Sequence, residues 1–177
     1  MTDKKNVRQQ PTLDSYREKR NFNKTLEPQD NNLEEHANLL FVVHKHSSRS
    51  FHYDLRLESN GALKSWAVPK GFSSDPKQRH LAVQTEDHPL SYANFAGTIP
   101  EGEYGAGAVE IWDKGTYKNL KEGQSLEEGI EAGEITVWFD GKKLKGNFAL
   151  IHTNYGKGDK NWIMIKMKDN HDHLVAQ

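Results

Sequence analysis

The chain of 177 residues contains no cysteine, which excludes disulfides, thiol nucleophiles and cysteine-ligated zinc. Long apolar runs are missing too: nothing resembles a signal peptide, and the hydrophobic stretches are far too short to cross a bilayer. Neither sign of charge is in excess, since 24 basic residues face 25 acidic ones for a net charge of −1. That balance removes any global electrostatic pull toward nucleic acid and leaves only local patches to supply one. Arginine is absent after Arg79. Hydrophobic residues make up 34% of the chain against 28% charged, so the core is lean. The expected protein is a single domain, soluble, cytoplasmic and off the membrane.

What is present is β patterning and an abundance of histidine. Residues 1–36 read as a polar, partly disordered arm, basic over 1–24, in which SYREKR can form a short helix. From 37 to 170 the pattern predicts strands: LLFVVHKH, the alternating SFHYDLRLE, ALKSWAVPK, HLAVQTE, AVEIWDKGTYK, GEITVWFD with KLKGNFALIHT, and NWIMIKMK. Asn60-Gly61 and Asp140-Gly141 are hairpin signals. IPEGEYGAGA reads as a loop, SLEEGIEAG as a short helical turn, and residues 171–177 as a tail. About eight evenly spaced strands with few helical segments predict a mainly β, closed or nearly closed barrel.

Residues 44–58, HKHSSRSFHYDLRLE, concentrate the chemistry. In a strand, His52, Asp54 and Arg56 share one face while Phe51, Tyr53, Leu55 and Leu57 take the other. One reading is a polar outer face. The other is a barrel whose mouth holds a metal and an oxyanion, with Asp54 as a hard-oxygen ligand and Arg56 as a fork for phosphate or carboxylate. His46 lies just upstream, and Glu86, Asp87 and His88 form a second cluster at a strand end. Two histidines and a carboxylate suit Mn²⁺, Fe²⁺ or Zn²⁺. His52-Tyr53-Asp54 also matches the HxD of non-haem iron oxygenases, but the arginine those enzymes carry beyond the distal histidine has no counterpart here.

VVHKHSSRSFHYDLRLESNGALKSWAVPKG, followed by LAVQTEDHPLSYANFAGTIPEGEYGAG, closely resembles the 3′-phosphoesterase domain of bacterial DNA ligase D and its stand-alone homologues. The likeness begins at SYREKRNFNKTLEP and runs to NWIMIKMKD, about residues 15–169. It implies a manganese-dependent enzyme, with Zn²⁺ or Co²⁺ as possible replacements, that heals 3′ ends in non-homologous end-joining DNA repair. Such an enzyme trims a terminal ribonucleoside and removes the resulting 3′-phosphate to leave a 3′-OH. By motif position, the resemblance implies His46, Asp54 and His88 as metal ligands. It implies His52, Arg56, Tyr92 and Lys70 as catalytic groups, and places Glu27 and Glu86 near the site.

Three positions depart from the family pattern. Asn21 replaces an aspartate, His44 stands where a glutamine is usual, and His80 stands where an arginine is expected to hold a phosphate monoester. Arg79 is adjacent, but strand alternation sends it to the opposite face from His80. With no ligase or polymerase motif in the chain, partners are expected to be nucleic-acid 3′ ends and separate ligase, polymerase and end-binding proteins. The rival of another class is a non-catalytic DNA-end-binding module that uses the basic arm and DGKKLKG as phosphate contacts.

Overall fold

The computed structural model describes residues 13–29, 39–154 and 158–169. Among the described residues nine strands run β1 (Leu40–Ser47), β2 (Phe51–Ser59), β3 (Ala62–Val68), β4 (Arg79–Pro89), β5 (Gly97–Ile99), β6 (Gly107–Asn119), β7 (Glu134–Asp140), β8 (Lys145–His152) and β9 (Asn161–Lys166). Their hydrogen-bonded order is β1-β2-β3-β4-β9-β8-β7-β6, and β6 pairs back onto β1. The result is a closed eight-stranded antiparallel barrel, as the strand spacing predicts. β5 is a ninth, three-residue strand on the edge of β6, inside the stretch of sequence that looks like loop.

Alternation decides what fills the barrel. Every barrel strand sends apolar side chains inward, among them Phe41 and Val43 of β1, Leu55 and Leu57 of β2, Trp66 of β3 and Trp162 of β9. The β2–β3 hairpin turns on Asn60 and Gly61, both at positive φ (48° and 79°), as a tight type I′ turn requires. The β7–β8 turn is fastened to β6 by Asp113, whose carboxylate accepts the backbone N–H groups of Lys142, Lys143 and Leu144 at 3.1, 2.9 and 2.7 Å. At the β1–β6 seam the backbones approach so closely that a Cβ on Gly107 would lie 2.0 Å from the Ser47 carbonyl oxygen.

Among the described residues two short α-helices and one 3₁₀ turn (Leu90–Asn94) flank the barrel. α2 (Leu126–Ala132) is capped by the Ser125 side chain, which accepts from the Glu128 N–H, and sends Leu126 into the core. α1 (Asp14–Glu18) is too short to persist alone. It is held by Leu13 and Tyr16, which join Leu90, Tyr92 and Phe95 in a second apolar layer against Val42 and Leu63, outside the barrel wall. Residues 13–29, part of the segment read as a polar arm, thus pack on the barrel. Residues 1–12 and 30–38 and the tail 171–177 lie outside the described residues. Among the described residues no helix is long and apolar enough to cross a membrane.

Candidate active site

Cross-strand register builds the site. On β1 and β2, His46 is opposite His52, His44 opposite Asp54 and Val42 opposite Arg56; on β2 and β3, Arg56 is opposite Ser65. Directly opposed residues project to one face, so the three residues singled out on β2 meet both histidines of β1. That face is the outer wall of the barrel and not its mouth, the place expected from sequence. The interior parity is already taken by Phe41, Val43, Leu55 and Leu57, and the polar set is roofed instead by the layer around Tyr16 and Tyr92. A cleft of about 270 Å³ opens there, lined by Arg20, His46, His52, Asp54, Arg56 and His88, with Tyr104 at the mouth.

His46, His52 and Asp54 offer ligand atoms that all lie within 4.8 Å of one another. His46 Nδ1 is 3.4 Å and His52 Nε2 3.3 Å from the Asp54 carboxylate. Their far nitrogens are anchored on backbone carbonyls, His46 Nε2 on Gly105 at 2.6 Å and His52 Nδ1 on Ser50 at 2.9 Å. A carbonyl only accepts, so those nitrogens carry protons and leave the other nitrogen of each ring facing Asp54, whose hydrogen bond raises the pKa of His52. Two imidazole nitrogens and a carboxylate converging in this way form a donor set that fits a divalent cation, which would take the place of the ring protons. Burial opposes ionisation of Asp54, yet Arg56 and the two histidines hold its pKa well below the usual carboxylate range.

His88, expected from the resemblance to complete the metal set, lines the same cleft beside Arg20 and Arg56. It is buried, with Nδ1 2.8 Å from the Glu86 carbonyl and Nε2 3.4 Å from Arg20 Nη2. Arg56 Nη1 lies 3.1 Å from the same ring. Burial and the two guanidiniums hold its pKa well below that of a free histidine, so the ring is neutral. Among the described residues the structure groups His52 with His46 and Asp54, because direct cross-strand pairing brings the two imidazoles to 4.8 Å between centroids.

Next to the donor set, Arg20, Arg56 and His88 form a cationic, hydrogen-bonding corner. Arg56 is 3.5 Å from Asp54, donates to Ser65 Oγ at 3.0 Å and lies over the Tyr92 ring at 4.8 Å. Arg20 donates from Nε to Glu27 at 2.8 Å, reaches Glu86 at 3.3 Å and lies over the Tyr16 ring at 3.9 Å. Tyr92 donates its hydroxyl to the same Glu27 oxygen at 2.8 Å, and Thr25 donates to the other at 2.9 Å. Glu86 and Tyr92 thus lie in the wall of the cleft, and Glu27 and His44 stand behind it, bonded to Arg20 and Tyr92 and to Arg56. Glu86 also takes Lys19 at 3.1 Å, and despite its burial its carboxyl titrates below the ordinary range.

Lys70, Arg79 and His80 are not among the residues lining the cleft. Lys70 is exposed in the turn after β3, Arg79 is exposed at the start of β4, and His80 turns Nδ1 to the Gly71 carbonyl. Arg20 carries no role by sequence alone, although it lies in the quoted SYREKRNF. Its one signal is its place in that motif, and only the fold carries it some 66 positions along the chain to Glu86.

Comparison with known proteins places these features in a family. Residues 44–152 match the DNA Ligase D 3′-phosphoesterase domain. The chain is 45% identical over 159 residues to the multifunctional non-homologous end joining protein LigD of Pseudomonas aeruginosa, covering 89% of this chain and 19% of that protein. Against the protein of the same name from Mycolicibacterium smegmatis the identity is 45% over 161 residues, 89% of this chain and 21% of that one. For Mycobacterium bovis it is 46% over 137 residues, 77% and 17%. The chain thus spans about a fifth of the length of these relatives. By family match and by identity, the chain belongs to the DNA ligase D 3′-phosphoesterase domain family.

Proposed function

We propose that the chain is a divalent-metal-dependent phosphoesterase acting on nucleic-acid 3′ ends, as a healing step of end-joining repair. It removes a terminal ribonucleoside and then the 3′-phosphate, leaving a 3′-OH for a ligase. One observation carries this reading: the convergence of His46, His52 and Asp54 beside the Arg20–Arg56–His88 corner. Such a pairing of metal donors and anion-binding groups suits a phosphoryl group held between a cation and a planar fork.

His46, His52 and Asp54 would hold the metal, with Mn²⁺ as the ion the family implies and Zn²⁺ or Co²⁺ as replacements. Bound there, a divalent ion eases deprotonation of a water or a 2′-OH and offsets charge on the transferring phosphoryl group. The chain's own groups do the rest. Arg56 and Arg20 bind the non-bridging oxygens, and their hydrogen bonds strengthen as charge develops. His88, neutral and buried, hydrogen-bonds at the centre of the corner. Glu27 holds Arg20 and Tyr92 in one arrangement, so the anion site is formed before substrate arrives. The partners are nucleic-acid 3′ ends and the polymerase and ligase activities that the relatives' end-joining role calls for.

A primer ending in a 3′-phosphate or a single 3′-ribonucleotide, incubated with and without Mn²⁺, tests the reading. Release of inorganic phosphate or nucleoside that depends on Mn²⁺ and stops with EDTA is expected. Retention of the labelled DNA with no turnover at any metal concentration would replace the enzyme by an end-binding module.

A further inference from the structure

The net charge of −1 conceals a separation of charge between the two ends of the barrel. Antiparallel order gathers alternate connections at the same end. One end collects the β1–β2 turn, the β3–β4 connection and the β7–β8 turn. These bring exposed Arg49, then Lys70 and Lys77, then Lys142 and Lys143. Among the described residues no ion pair involves any of these five. The opposite end carries α2 and its flanks, with exposed Glu122, Glu128, Glu131 and Glu134. By contrast Lys19 and Arg20 of the N-terminal segment are tied to Glu86 and Glu27 in the cleft wall.

The basic end is also the aromatic end. Phe72 stacks on Trp112 at 5.6 Å and 24°, and Tyr53 meets both edge-on at 5.9 and 5.5 Å. Phe51, 45% exposed, extends this cluster through Tyr53. Lys143 lies over Trp112 at 5.1 Å and Lys45 over Phe51 at 5.5 Å. The rim joins the cleft directly: Ser48 and His52 line the cleft, while Arg49 and Phe51 occupy the same turn.

We infer that this basic, aromatic rim is the track for the nucleic-acid strand whose 3′ terminus enters the cleft. Cations that follow a phosphate backbone, interleaved with rings that accept bases without regard to sequence, are what single-stranded nucleic acid requires. The acidic far end repels the same strand and sets the direction of approach. This rests on the nucleic-acid reading of the cleft and extends it from the terminal phosphate to the strand behind it.

The test is fluorescence anisotropy of a 5′-labelled oligonucleotide across about 50–200 mM salt. The comparison is between wild type, R49Q/K142Q/K143Q, F51A, and E128Q/E131Q as the far-end control, each checked for an unchanged melting temperature. The triple variant is expected to bind about tenfold or more weakly, with the slope of log affinity against log salt reduced by about 0.7 for each phosphate no longer neutralised. F51A is expected to weaken binding with the slope unchanged, and the control to bind as wild type or more tightly. Catalysis should follow: the ratio of kcat/KM for the oligonucleotide to that for a nucleoside 3′-phosphate falls about tenfold in the triple variant. Wild-type binding by the triple variant, or equal loss in the control, would overturn the track. Absence of turnover on both substrates would sink the enzymatic reading, while the anisotropy comparison would still decide the rim.

Discussion

Arg56 donates from Nε to Nδ1 of His44 at 3.2 Å, and the opposite nitrogen of that histidine meets the Phe95 carbonyl at 3.0 Å. His44 is fully buried; burial and then Arg56 push its pKa down to about 3, so the ring is neutral. It is a hydrogen-bonding strut that sets the angle of the guanidinium. A glutamine supplies the same acceptor and donor. H44Q is therefore expected to keep most of the activity, whereas H44L strands Arg56 Nε and the Phe95 carbonyl at a cost of about 1–3 kcal/mol. Steady-state kinetics and thermal melts of both variants check this. Equal loss in the two would mean that ring packing against Tyr92 is what matters.

Two ligand sets are separable by measuring metal and activity independently. H52A is expected to lose bound Mn²⁺ by equilibrium dialysis, together with activity. H88A is expected to retain the metal while kcat/KM falls by about a hundredfold, the loss of one preorganised group at the phosphate. Loss of metal in H88A with retention in H52A would instead establish the ligand set that the resemblance implies.

Glu27 is the common acceptor for Arg20 and Tyr92, and all three are buried or nearly so. Removing one partner of a buried ion pair leaves an uncompensated charge, so E27Q is expected to destabilise the fold by about 3–5 kcal/mol. It should also raise KM for a 3′-phosphorylated substrate, because Arg20 is freed from its position. Urea titration and kinetics on the same preparation test both effects.

Asp113 accepts four backbone N–H groups, those of Lys114, Lys142, Lys143 and Leu144. Burial opposes its charge, but the four donors win and its pKa is lowered. A carboxyl with a depressed folded pKa contributes stability that is present above its unfolded pKa and is lost as pH falls through the folded one. D113N is expected to be less stable than wild type by about 2–3 kcal/mol near neutrality. The difference should shrink only below about pH 4, the ordinary aspartate range. A gap that stays constant to lower pH would show that geometry rather than charge holds the turn.

Much of this protein was legible from sequence, because strand alternation and turn chemistry are local. His52, Asp54 and Arg56 fall on one face by spacing alone, and Asn60-Gly61 announces its hairpin because two positive φ angles suit those residues. The absence of cysteine and of long apolar runs likewise confined the chemistry to histidine, carboxylate and guanidinium in a lean β fold. Tertiary structure decided which histidine faces Asp54, since that depends on the β1–β2 register that sets His46 opposite His52. It also placed the set on the outer wall, because the closing β1–β6 seam and the packed interior leave polar groups only the other face. Arg20 reaches the site through a hydrogen bond to a residue 66 positions away in sequence, and the basic rim exists because antiparallel order gathers separate turns at one end. Spacing along one strand is a local property, whereas closure, register and the pooling of charge depend on pairings between distant segments.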